Sequence, residues 1–186
     1  MCSHTPAGLG GIRDRALLLI GFAGGFRGSE LVGLDVEDVE WSDEGVRLLI
    51  RRSKTDQESA GQFVAIARGT TLFCPVAALA EWLRASGITS GPLFRPVNCY
   101  GHLGPGRLGD RNVALIVKRY ANAAGLDPAQ YAGHSLRAGL VTQAAINGVP
   151  ERAIMRQTRH QSSAMLGRYI RDANLFRDNA SGRLGL

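Results

Sequence analysis

Arg27, Lys54, His134, Arg137, His160 and Tyr169 supply, within one 186-residue chain, the groups needed to open a phosphodiester. Such a bond resists attack because its negative charge repels nucleophiles and its leaving alkoxide is poor. A catalyst must neutralise charge, present a nucleophile and protonate the departing oxygen. Arg27 and Arg137 suit the first task, because a guanidinium offers a planar fork that matches phosphate oxygens. His134 stands three residues before Arg137 in Gly133-His134-Ser135-Leu136-Arg137-Ala138-Gly139. At the start of a helix that spacing turns both side chains to one side, beside backbone N–H groups that favour an anion. Tyr169 follows His160 by nine residues. Its phenol, with a pKa of about 10, needs positive surroundings or a base to attack at neutral pH. Two guanidiniums and a lysine take the place of divalent cations, so no metal and no cofactor are expected.

The elements that must position these groups follow from pattern and punctuation. Residues 12–23 read as a buried helix closed by Gly24-Gly25, which puts Arg27 just after a turn. Ser29 opens a short helix through Leu34. Val36 to Trp41, Val46 to Arg52 and Gln62 to Ala67 read as three strands of a small antiparallel sheet, with Lys54 in a turn at a hairpin tip. From Cys74 onward the pattern is helical, over Pro75–Ser86, Asp110–Ala124, Ser135–Asn147, Pro150–Thr158 and Ser162 to about Asn174. Gly91–Gly109 reads as a loop with a short extended piece at Leu93-Phe94.

At this length, with 45% hydrophobic residues, the chain can bury one sizeable core. Lys and Arg total 22 against 16 Asp and Glu, and residues 101–186 hold twelve basic and five acidic side chains, an excess suited to a polyanion. Three widely spaced cysteines without a C-x-x-C pair argue against a disulfide framework or thiolate metal site and fit a reducing cytosol. The longest apolar run, Ala16 to Ala23, is too short to span a bilayer, so no membrane association is expected.

Each residue also has an ordinary reading. Tyr169 shares a helical face with Met165, Leu166 and Ile170, as a core tyrosine does. Arg27 and Glu30 have the spacing of a surface ion pair, and a lysine at a hairpin tip is usually solvated. Their joint order outweighs these separate accounts. Gly133-His134-Ser135-Leu136-Arg137 starts like a hydrolase nucleophile elbow but has Arg where Gly is required. Ser53-Lys54-Thr55 lacks the glycines of a phosphate loop. Cys99 and His102 make only half of a zinc site, and the acidic run Asp35–Glu44 reads as a solvated strand and turn.

Taken with Phe26-Arg27-Gly28-Ser29-Glu30-Leu31 and the stretch from Arg159 to Arg171, these motifs resemble the catalytic domain of the tyrosine recombinase (phage integrase) family, from about Ile12 to Phe176. The resemblance implies an α+β, mainly helical fold, the DNA breaking-rejoining fold of that catalytic domain, carrying a small three-stranded antiparallel sheet. It implies residues 1–11 as an extension, 12–176 as catalytic domain and 177–186 as tail. The family's N-terminal DNA-clamping domain is expected to be absent.

The implied activity is site-specific DNA recombination or integration through a 3'-phosphotyrosyl link on Tyr169, with Lys54 as general acid. By the same resemblance His134 assists proton transfer and His160 hydrogen-bonds the phosphate or leaving group. The implied partners are double-stranded DNA and other protomers of a DNA-bound, tetrameric assembly, with Asp172–Leu186 packing on a neighbour. The implied setting is cytoplasmic and nucleoid-associated, in a prokaryotic or phage-encoded protein. Gly28 and Gly167 depart from the family, where bulkier, often basic residues are expected. Two other functions stay open: a type IB topoisomerase, and a catalytically idle DNA-binding module descended from an integrase.

Overall fold

The computed structural model describes residues 1–51, 61–160, 162, 166 and 167. The apolar run of the first helix makes it the centre of the domain. α1 (Leu9–Ala23) buries Ala16, Leu17, Leu18 and Ile20, and packs along α3 (Pro75–Ser86). A helix apolar on most of its circumference belongs inside a core. α3 turns Val76, Leu79 and Trp82 inward, and Trp82 Nε1–H donates to the Leu93 carbonyl at 2.8 Å. Pro75 occupies its first turn, and Cys74 caps it by accepting the Ala77 N–H. Met1, Cys2 and Leu9 pack against the same core, ahead of the helix start expected at residue 12.

Three antiparallel strands cover one side in the order β1 (Val39–Trp41), β2 (Gly45–Ile50), β3 (Gln62–Ala67). Val46 pairs with Ile66 and Leu48 with Val64, so alternate residues of β2 and β3 form one buried face. The first strand is shorter than expected, because Val36–Asp38 form a 3-10 turn. The Asp38 carboxylate accepts the Asp35 N–H at 2.9 Å and pairs with Arg51 Nε at 2.6 Å. Asp38 is buried, so this part of the acidic run serves as cap and ion-pair partner rather than as a solvated strand. The Gly91–Gly109 segment is anchored: Leu93 and Phe94 are fully buried, and Leu93 N–H donates to the Leu34 carbonyl.

Short α2 (Gly28–Gly33) leads into the sheet, and α4 (Asp110–Ala123) packs on it. α4 presents Val113, Ile116, Val117 and Tyr120 at helical spacing. α5 (Ser135–Ile146) lies against α1, and α6 (Glu151–Thr158) packs on α5. Beyond them, Leu166 and Gly167 are helical, within the last helix the sequence predicts. No helix among the described residues is long and apolar enough to cross a membrane.

Candidate active site

The turn that ends α1 organises the site. Gly25 has φ 57°, a left-handed conformation natural to glycine, and a Cβ there would press on Leu140 and Thr158. Arg27 emerges from this turn as the N-cap residue of α2. Its N–H donates to Glu30 Oε2 at 2.9 Å and its guanidinium to Glu30 Oε1 at 2.6 Å. Glu30 is buried, whereas the Arg27 side chain is 28% exposed, so the pair lies at the edge of a cleft rather than on open surface. Burial raises the Glu30 pKa, but Arg159 and the two donors of Arg27 outweigh it and hold the carboxyl below the usual range.

His134 and Arg137 arrive on the first turn of α5, with His134 as N-cap. Arg137 is buried and donates from Nη1 to the Gly25 carbonyl at 2.9 Å, while its buried Nη2 has no hydrogen-bond partner among the described residues. Desolvation, then the nearby Arg27 and Arg159, push its pKa down to about 10. The guanidinium therefore stays charged at neutral pH.

His160 follows the end of α6. Thr158 Oγ1 lies 2.7 Å from the Ile154 carbonyl and 2.6 Å from His160 Nδ1. A hydroxyl has one proton, and the carbonyl can only accept it, so the imidazole carries its proton on Nδ1. Nε2 is left as the ring nitrogen for the cleft. Desolvation, followed by Arg137, Arg27 and Arg159, lowers the His160 pKa to about 4. The ring is neutral at pH 7 and Nε2 is a proton acceptor.

Arg27, His134, Arg137 and His160 thus line one open cleft of about 470 Å³, together with Ser29 and Arg111. Its charge excess and the orphaned Arg137 Nη2 fit an anion with several oxygens, as a phosphodiester has. Lys54 and Tyr169 lie outside the described residues. Gly28, unexpected in this position, has a local reason: a Cβ there would run into the carboxylate of Asp110, which shares the rim of the cleft. Among the described residues no three His, Cys, Asp or Glu side chains converge as metal ligands do.

The sequence pattern of the phage integrase family matches residues 2–175. The chain belongs to the phage integrase family. It is 46% identical to an integrase/recombinase XerD homologue of Selenomonas ruminantium over 95% of this chain and 52% of that protein. It is 29% identical to the tyrosine recombinase XerC of Syntrophus aciditrophicus over 88% of this chain and 50% of that protein. The chain therefore spans about half the length of the curated relatives it matches. Its fold is shared with the XerH site-specific recombinase, solved bound to its difH substrate before cleavage, at a TM-score of 0.68 and 21% identity over 93% of this chain and 47% of that one.

Two contributors to the cleft of this integrase-family domain escape sequence reading. Gln157 Nε2 donates to the Ala23 carbonyl at 2.9 Å and the Ala65 carbonyl at 3.0 Å, tying the end of α6 to α1 and β3. Arg159, buried beside His160, makes an ion pair with Glu30 at 2.6 Å. Neither residue announces itself, since a polar side chain near a helix end is ordinarily solvated.

Proposed function

We propose that this domain cleaves and rejoins DNA strands as a site-specific recombinase, using Tyr169 as nucleophile. The convergence of Arg27, His134, Arg137 and His160 on one cleft, with a buried guanidinium nitrogen that lacks a partner among the described residues, carries this reading. A phosphodiester of double-stranded DNA sits in the cleft with its non-bridging oxygens on Arg27 and Arg137. The Tyr169 oxygen bonds to phosphorus, its proton leaving with help from His134, while the bond from phosphorus to the 5' oxygen breaks. Lys54 gives that oxygen its proton. Attack by the 5'-hydroxyl of another strand reverses each step, so no net oxidation and no external energy source is required.

Exchange between two duplexes needs several protomers, and the basic residues concentrated in 101–186 supply contacts to the DNA backbone. The test is a nicked duplex that traps the covalent intermediate, read on a denaturing gel. The unmutated chain is expected to form an adduct in excess EDTA, because protein cations do the work of a metal. Tyr169→Phe is expected to bind duplex as before and form none, and an adduct from that variant would disprove the assignment.

A further inference from the structure

Arg159 is the one residue other than glycine with positive φ among the described residues, at 57°. It ends α6 in the left-handed conformation that glycine usually fills, and a residue with a Cβ is strained there. Such strain persists only where the surrounding structure enforces it. The enforcing contacts are specific. Arg159 Nη2 meets Glu30 Oε2 at 2.6 Å, with both side chains almost wholly buried. Nη1 donates to the Gln157 carbonyl at 3.1 Å and makes a longer contact, at 3.4 Å, with the Gly24 carbonyl. The guanidinium also lies 5.1 Å from the centre of the Phe26 ring, within cation–π range.

The partner matters as much as the contact. Glu30 is the carboxylate that holds both the backbone and the guanidinium of Arg27, and Arg159 occupies the same Oε2 that accepts the Arg27 N–H. Arg159 also immediately precedes His160. One buried carboxylate thus joins the segment carrying Arg27 to the segment carrying His160. Arg137 docks on the same Gly24-Gly25 turn through its bond to the Gly25 carbonyl.

We propose that Arg159 is a positioning residue that fixes Arg27 against His160 across the cleft by locking Glu30 between them. This deepens, and rests on, the strand-transfer reading. Arg159 does not touch the phosphate itself; it sets where the phosphate-holding groups stand. A misplacement of about 1 Å in such groups can cost on the order of 10²-fold in rate.

The test uses the full chain with Arg159→Gly, Arg159→Lys, Glu30→Gln and the double variant Arg159→Gly with Glu30→Gln. Glycine relieves the positive-φ strain but removes an ion-pair partner of the buried Glu30, so Arg159→Gly is expected to melt below the unmutated protein yet, at a temperature where both are folded, to bind duplex within about threefold of it. Its rate of adduct formation at saturating nicked DNA is expected to fall on the order of 10- to 100-fold. Arg159→Lys keeps the charge without the fork and is expected to recover part of that loss. The double variant is expected to be no slower than the slower single variant, because both changes break the same link.

A second readout needs no chemistry: inorganic phosphate is titrated while the ring resonances of His134 and His160 are followed by NMR. Arg159→Gly is expected to weaken phosphate binding about tenfold. The idea is overturned if Arg159→Gly keeps both rate and phosphate affinity within about threefold. It is equally overturned if the losses of the two single variants multiply, or if rate falls only in step with melting temperature. A chain that binds phosphate in this Arg159-dependent way yet forms no adduct would refute the strand-transfer reading and leave the positioning role standing.

Discussion

Two buried clusters of arginine and carboxylate sit in this domain, and they are balanced differently. Between α1 and α4, Asp14 accepts Arg13 Nε and Nη2 on one oxygen, at 2.9 and 2.6 Å, and the Tyr120 hydroxyl on the other at 3.0 Å. Arg119 stands 3.7 Å away, and Arg13 Nη1 reaches the Arg95 carbonyl. Burial first, then the Asp14 charge and hydrogen bond, push the Tyr120 pKa up to about 12, so the phenol stays a donor. That cluster is complete in itself. Around the cleft, three guanidiniums, of Arg27, Arg137 and Arg159, surround the carboxylate of Glu30, and buried nitrogens of Arg137 and Arg159 lack partners among the described residues. A closed cluster contributes to stability. The cluster at the cleft leaves guanidinium nitrogens unpaired among the described residues.

The largest effect concerns what the surplus does not supply. Guanidiniums hold charge but do not give up protons, and His160 is unprotonated at neutral pH. In the mechanism proposed above, the proton for the leaving oxygen comes from Lys54. Lys54→Ala is expected to slow cleavage of ordinary DNA by a factor on the order of 10² to 10⁴. A substrate with sulfur at the bridging 5' position releases a thiolate, which needs no proton to depart because an ordinary thiol has a pKa of only about 8.5. On that substrate the variant is expected to regain nearly the full rate. Equal impairment on both substrates would mean that Lys54 positions the DNA and is not the general acid.

Arg137→Met tests the surplus directly. The variant removes a buried charge that lacks a full set of partners among the described residues and keeps the length of the stem. Adduct formation is expected to fall by about 10²- to 10³-fold on both substrates, the scale of one lost charge-stabilising group. Stability measured by urea unfolding is expected to be unchanged or higher, because replacing an undercompensated buried ion with an apolar side chain is often neutral or favourable. A marked loss of stability would mean that the two clusters are alike.

Asp14→Ala should behave in the opposite way. It leaves the Arg13 guanidinium and the Tyr120 hydroxyl buried without their acceptor, at a cost of about 3–5 kcal/mol in urea unfolding. Any fraction that remains folded is expected to keep its rate. A rate defect in fully folded Asp14→Ala would show that the two clusters communicate.

The smallest effect is in pH. The folded His160 pKa of about 4 lies below the ordinary value of 6.5, so the unfolded chain takes up a proton that the folded chain refuses. Stability therefore falls as pH drops from about 6.5 to about 4. His160→Gln is expected to flatten the pH dependence of unfolding in that window, and an unchanged slope would contradict the half-buried, neutral ring.

Element boundaries followed where pattern and punctuation agreed. α3 begins and ends as its Pro75 and Gly87 indicate, because proline suits a first helical turn and glycine a left-handed end. β3 falls on its expected residues. The pattern misled where a tertiary partner intervened, as at Val36–Asp38, where the buried Asp38 pairs with Arg51 and a capped turn replaces the start of a strand.

For the site, the sequence by itself determined which residue types were present and in what order. The short H-x-x-R spacing also determined that His134 and Arg137 would share the first turn of a helix, because that relation is local and fixed by helical geometry. Only the tertiary structure decided that Arg27 and His160, 133 positions apart, line the same cleft, since no local rule links them. It also decided that Arg159 is buried against Glu30, that Arg137 keeps a nitrogen unpaired among the described residues, and that His160 is neutral with its proton on Nδ1. Burial, charge neighbours and hydrogen-bond partners come from chain segments remote in sequence, and those three set the chemistry of each group.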